Sequence, residues 1–205
     1  MGKTEKKSLT GFFILCLAVA GIGLLSSTWL SAKPQQDGQT RLVAHVNPPD
    51  LPVEVLGIKV KGKNIKLDEK FDDNEDWLNG LALKIKNISN KPVVYVGMYL
   101  DFPETKATGN IMSFPVSFGQ NPLSPIISAS AQRLLPDEMA SISLDDKKFA
   151  DLKNFIERRH SISSIHKASI RITTIAFEGG AIWSNGSWMR SDPNNPHRLI
   201  PIANQ

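Results

Sequence analysis

The chain holds one cysteine, Cys16, inside its amino-terminal apolar run, so a chain trimmed behind that run has none. No disulfide framework can then brace the protein, and its core must hold it together. A blue-copper centre, which needs a cysteine thiolate, is excluded on the same ground. Histidine is equally sparse: His45, His160, His166 and His197 are scattered, with no His-Glu-x-x-His or comparable cluster. That spacing argues against zinc and against a catalytic histidine. A Gly-x-Ser-x-Gly nucleophile elbow is missing too, and hydroxyl groups alone do not make a triad. Basic residues form no run interleaved with aromatics, and of the net charge of +4 half comes from Lys3, Lys6 and Lys7 against Glu5. Nucleic acid is therefore excluded as an expected partner. There is no internal repeat and no low-complexity tract.

What is present begins with residues 1–32. Lys3, Lys6 and Lys7 precede an apolar run from Phe12 to Leu25, followed by Ser26-Ser27-Thr28 and by Leu30-Ser31-Ala32. This is the basic, apolar and small-residue order of a secretory signal peptide, cleaved after Ala32. The alternative is an uncleaved anchor, touching the membrane through residues 9–30, because Phe12 to Leu30 is 19 residues, against the roughly 20 that cross a bilayer core. The interruption at Ser26 to Thr28 favours cleavage. Both readings put the body of the protein outside the cytoplasm, periplasmic or secreted, with the lysines retained inside. Lipidation at Cys16 is not expected, since Phe13-Ile14-Leu15 stand where small residues should precede it.

Residues 33–52 are polar and proline-bearing, with a short strand possible only at Leu42 to Val46, and read as a linker into a single domain over 53–205. Val53 to Val60 alternates, but its phase slips by one at Leu56-Gly57, where a bulge would return both halves to one buried face. Leu81 to Asn87 is a half-buried strand and Val93 to Phe102 a strand apolar on both faces, joined by the turn residues Asn87 to Pro92. These two runs are expected to pair antiparallel. A short edge strand is expected around Ile111 to Phe118, and a strand after the Pro136-Asp137 turn with Ala140, Ile142 and Leu144 on one face. Phe149, Leu152 and Ile156 mark a helix near Asp146 to Arg159, with acidic residues at its start and basic ones at its end.

Lys167 to Phe177 is strand again, and two turn signals follow, Gly179-Gly180 and Asn185-Gly186. Either the first sets a hairpin and Ser184 to Ser187 is a loop or bulge, or a short meander uses both. The first is favoured, because Lys167 to Phe177 needs a partner longer than Ala181 to Ser184. Many strands and one isolated helix give an all-β fold: an immunoglobulin-like antiparallel β-sandwich with one inserted α-helix, although the strand count also permits a partly open barrel.

Trp77 to Phe102 with its Asn87-Ile-Ser-Asn-Lys-Pro92 turn, the Pro136-Asp-Glu turn, and Phe177-Glu-Gly-Gly-Ala-Ile-Trp183 resemble uncharacterised exported β-sandwich proteins of bacteria. The resemblance spans 53–198. It rests on turn and strand punctuation, and implies a fold and export but no activity, cofactor or catalytic residue. In the last hairpin this chain has Gly179-Gly180-Ala181 where such proteins tend to have Asp-Gly-Thr.

Three stretches are candidates for function. Asp72 to Asp76 has the D-x-N-x-D spacing of a calcium loop, but Trp77 and Leu83 stand where Gly and Glu belong, so an EF-hand is excluded; the bland reading is a solvated acidic connection. Asn87-Ile-Ser and Asn185-Gly-Ser match a glycosylation acceptor but are already explained as turns. Trp183-Ser-Asn-Gly-Ser-Trp188 is the sharpest pattern: a two-residue turn at Asn185-Gly186 would pair Ser184 with Ser187 and set Trp183 opposite Trp188. The indoles would form either a binding platform, with Arg190 beside it, or part of the core; core packing is favoured, Trp183 above all. Arg190 to Arg198 reads as an Asx and proline turn ending the chain. The expected function is a non-catalytic exported domain, needing no metal or cofactor, that binds an unknown protein or envelope component through Trp183, Trp188 and Arg190. A hydrolase or sugar-active enzyme with a site in the Pro103 to Pro136 span is the alternative.

Overall fold

The computed structural model describes residues 38–123 and 132–202, all within one compact unit. The expected signal or anchor segment, and part of the Pro103 to Pro136 span, lie outside the described residues. Among the described residues no helix is long and apolar enough to cross a membrane.

Among the described residues twelve strands make two sheets. The smaller contains β2 (Val53–Val60), β3 (Lys63–Ile65), β5 (Ala82–Asn87) and β8 (Met139–Ser143), in the order β3-β2-β5-β8 and antiparallel throughout. The larger contains β1 (Gln39–His45), β4 (Lys70–Asp73), β6 (Val93–Phe102), β7 (Met112–Gly119), β9 (Lys167–Phe177), β10 (Ala181–Ser184), β11 (Ser187–Asp192) and β12 (Asn195–Pro201). One apolar core draws on both sheets, with Leu83, Ile85 and Ile142 from one and Val96, Leu100, Ile170 and Ile175 from the other. The described residues are mostly β, with two open sheets and one α-helix, and do not close into a barrel.

Strand β9 organises the large sheet. One edge pairs with β6 from Ser169 to Phe177. The other edge is shared, its first half pairing with β1 and its second half with β10. Between the two partners, the side chain of Asn47 accepts from the Ile172 N–H at 2.7 Å, in place of a strand carbonyl. This division explains why a four-residue β10 suffices: β9 never depended on it alone. Both turn signals are therefore used, and the meander replaces the single hairpin favoured from sequence. The β1–β9 pair is parallel, which departs from the purely antiparallel expectation.

Two further expectations are corrected. Residues 39–45, assigned to a linker, form β1 inside the large sheet, with Arg41 and Val43 fully buried. Polar content misleads here, because both terminal nitrogens of Arg41 find their acceptors inside the protein, while its Nε has none among the described residues. The runs around β5 and β6 do not pair with each other. They belong to different sheets, and the connection crosses between them as an arch. Asn87 fixes that arch: its Nδ2 donates to the carbonyls of Lys91 and Leu134, each at 2.9 Å, and its Oδ1 accepts from Ser89 N–H at 3.0 Å. It is fully buried, so the first glycosylation pattern is a structural turn.

The slip in β2 is a bulge: the register jumps between Val55 and Gly57, leaving Leu56 unpaired and partly exposed while Val53, Val55, Ile58 and Val60 share the inner side. The helix α1 (Asp146–Glu157) is capped by Asp145, whose side chain accepts from Lys148 N–H, and buries Phe149, Leu152 and Ile156 as expected. Strand β7 occupies the expected edge and tolerates Pro115 there, since an edge strand can spare a donor. At its end Gly119 is obligatory: φ is +69°, and a Cβ would fall 2.1 Å from the Val94 carbonyl oxygen. The acidic connection contains β4, paired with β1. The final segment is a hairpin whose Asx turn is real, Asn194 N–H donating to Asp192 Oδ1 at 2.9 Å, but it continues as β12 and does not end the strand order.

Candidate functional site

The β10–β11 hairpin has the register its sequence implies, Trp183 opposite Trp188 and Ser184 opposite Ser187. Asn185 and Gly186 both have positive φ, +47° and +87°, as a tight two-residue hairpin turn requires. The two indoles nevertheless meet different surroundings. Trp183 lies over β9 and is fully buried in the core, where its Nε1 finds no acceptor. Trp188 sits one strand further out, at the margin where the core ends, and 44% of it is exposed. Its ring leans on Phe177, centroids 5.4 Å apart and planes at 32°. Ser89, Asn90, Lys91, Ala181 and Ile202 complete a shallow recess of about 390 Å³ around the pair. Arg190, opposite Ala181, is exposed and forms no ion pair among the described residues. The structure thus brings Trp188 and Arg190 to one margin and removes Trp183 to the interior.

A second concentration of polar and aromatic groups lies on the solvent side of the large sheet, and sequence reading passed over it. Tyr95, Gly97, Tyr99 and Asp101 alternate along β6 and so project to one side. Arg171 of β9 donates to Asp101 through Nε at 2.8 Å and Nη2 at 3.1 Å, Ser113 of β7 donates to the same carboxylate at 2.6 Å, and the guanidinium lies 5.4 Å from the Tyr99 ring centroid. Burial alone would raise the Asp101 carboxyl, but the hydrogen bonds of Arg171 and Ser113, with the Arg171 charge, hold it below its ordinary range. Burial, then the neighbouring Tyr99, pushes the Tyr95 phenol up, against a hydrogen bond with Ser117. The signal available in sequence was the alternation Tyr-x-Gly-x-Tyr-x-Asp. Apolar residues at the intervening positions masked it, making the strand look uniformly buried.

The remaining polar interior is structural. Arg41 is fully buried without a carboxylate in contact. Its Nη1 donates to the Ile165 carbonyl at 2.7 Å and to His166 Nδ1 at 3.1 Å, its Nη2 to Gln39 Oε1 at 2.7 Å and the Asn74 carbonyl at 3.1 Å, and it lies 5.9 Å from the Trp77 ring centroid. Burial lowers its pKa, against the charges of Asp73, Glu104 and Glu75. In the acidic stretch, Asp73 pairs with Lys61 at 2.8 Å, and the same ammonium reaches Asn74 Oδ1. Burial would raise the Asp73 carboxyl, but the hydrogen bonds of Lys61 and Asn74 and the charges of Lys61 and Lys63 bring it below its ordinary value. Among the described residues, no three His, Cys, Asp or Glu side chains converge as a metal site would need.

Comparison of the chain with protein-family models, curated proteins and solved structures returns no match.

Proposed function

We propose that this chain is an exported, non-catalytic domain of the immunoglobulin-like sandwich type, akin to the uncharacterised exported bacterial proteins it resembles, and that it binds a protein or envelope component through the margin around Trp188. The observation carrying this reading is the contrast within one cross-strand pair: Trp183 is sealed in the core while Trp188 stays 44% exposed on Phe177, with Arg190 exposed on the same strand and in no ion pair among the described residues. Tryptophan and arginine are the residues most enriched at energetic centres of interfaces, where a single truncation typically costs about 2 kcal/mol or more of binding. Export is supported by the leader pattern of residues 1–32 and places the Trp188 margin outside the cytoplasm.

Capture from envelope extract with the chain as bait tests the reading. Trp188→Ala and Arg190→Ala should each deplete the same captured component while the bait remains folded. Capture that survives both substitutions would move the binding surface elsewhere, and recovery of the protein from the cytoplasmic fraction alone would remove the export half of the proposal.

A further inference from the structure

We propose that the tyrosine-floored groove on the solvent side of the large sheet is a binding subsite for a neutral oligosaccharide. The groove has a volume of about 380 Å³ and runs between Tyr95 and Tyr99 on its floor, Ser117 and Thr174 along its sides, and Asn121 and Leu199 at its rim. That volume falls at the lower end of the range of small-ligand sites, enough for one or two sugar rings.

The floor depends on one glycine. A Cβ at Gly97 would stand 2.8 Å from Tyr95 Oη and 2.9 Å from its Cε1, so the Tyr95 ring occupies the space that any other residue would fill. Without that Cβ the ring stays down over the strand, and the groove above is open. With Tyr99 two positions beyond Gly97, the floor offers two aromatic rings to the C–H faces of a sugar, which is the apolar half of saccharide recognition.

The polar half is supplied by neutral groups. The Asn121 Oδ1 accepts from the Leu123 N–H at 2.9 Å, and its amide N–H groups have no partner among the described residues. The Thr174 hydroxyl lines the groove as both donor and acceptor. The adjacent guanidinium of Arg171 is matched by both oxygens of Asp101, so the groove carries no unbalanced charge with which to select an anion. Aromatic faces, hydroxyl and amide hydrogen-bonding groups and charge neutrality together fit a neutral polyol and not a phosphate, a uronate or a peptide carboxylate. This surface is on the opposite side of the large sheet from the core into which Trp183 packs, and the proposal does not rest on the Trp188 reading.

The test is calorimetric titration of the full chain with cellohexaose, maltohexaose and chitohexaose, with hexagalacturonate as the charged comparison. At least one neutral hexamer should bind with a Kd of about 1 mM or tighter, and hexagalacturonate should bind none or more weakly. Gly97→Ala should weaken binding about tenfold or more by lifting the Tyr95 ring into the groove, and Tyr99→Ala by a similar factor. The ring tip can move, so Gly97→Ala should melt close to the parent temperature; Trp188→Ala should bind the hexamer as the parent does. Absence of heat with all three neutral hexamers at millimolar concentration, a preference for hexagalacturonate, or full binding by folded Gly97→Ala would each overturn the proposal.

Discussion

At the scale of single residues, surroundings decide what a side chain does. Trp183 and Trp188 share a face and a register, yet one is core and the other marginal, because Trp183 stands on the strand paired with β9 while Trp188 stands one strand further out and leans on the end of β9 at Phe177. Trp183→Ala should therefore cost about 3 to 5 kcal/mol in denaturant stability, whereas Trp188→Ala, losing mainly its contact with Phe177, should cost about 0.5 to 1.5 kcal/mol. Equal losses at the two positions would contradict the burial described. The pairing of the two indoles was legible in Asn185-Gly186, since that dipeptide fixes the register of what flanks it. Arg41 was not legible: nothing in a polar, proline-flanked segment says that a guanidinium will be enclosed by carbonyls contributed 33 and 124 residues away. Arg41→Lys should cost about 2 kcal/mol or more by urea titration, because one ammonium, a single point with three donors, cannot reach the Ile165 and Asn74 carbonyls, the Gln39 amide and His166 Nδ1, which the guanidinium serves from two separate nitrogens.

At the scale of elements, periodicity was a reliable guide where a strand or helix has one wet side. The bulge in β2, the inward side of β8 and the buried stripe of α1 all follow from patterns visible in the chain. Pairing was a different matter. The short connection after β5 looked like a hairpin, but Asn87 directs it across to the other sheet by bonding to a carbonyl 47 residues away, a contact no local pattern encodes. Strand β1 was hidden for a related reason, since its place beside β9 is a parallel pairing over a long sequence separation. The helix offers the cleanest check at this scale. Leu152 is fully buried, so Leu152→Ala should cost about 2 to 5 kcal/mol, and Leu152→Asp should unfold the protein or leave it severely weakened. A melting temperature unchanged by Leu152→Asp would make α1 peripheral to the core.

At the scale of the whole molecule, the absence of cysteine after Cys16 leaves stability to the shared core, with two ion pairs, those of Asp73 and Asp101, whose carboxylates titrate low. Asp101 and Asp73 both have folded pKa values below their ordinary ones. Their contribution is fully present above the unfolded carboxyl value of about 4 and is lost as pH falls from there through the lower folded values. Urea midpoints should accordingly be level in this respect between neutral pH and about 5 and decline below about 4, and Asp101→Asn should shrink the decline. A midpoint insensitive to pH down to about 3 would show that neither carboxylate is held as described.

Both candidate surfaces draw their side chains from several strands, which is why only fragments of each could be read beforehand: Trp188 and Arg190 from one strand, but not Phe177 beneath; the tyrosines of β6, but not Arg171 across from them. The central claim is that the exposed member of the tryptophan pair, and not the buried one, carries partner binding. Quantitative capture from envelope extract by parent and Trp188→Ala bait, at matched folded concentration established by denaturant titration, tests it most directly. The account predicts that one specific component is lost with Trp188→Ala although the bait remains folded; equal capture by the two baits would contradict it.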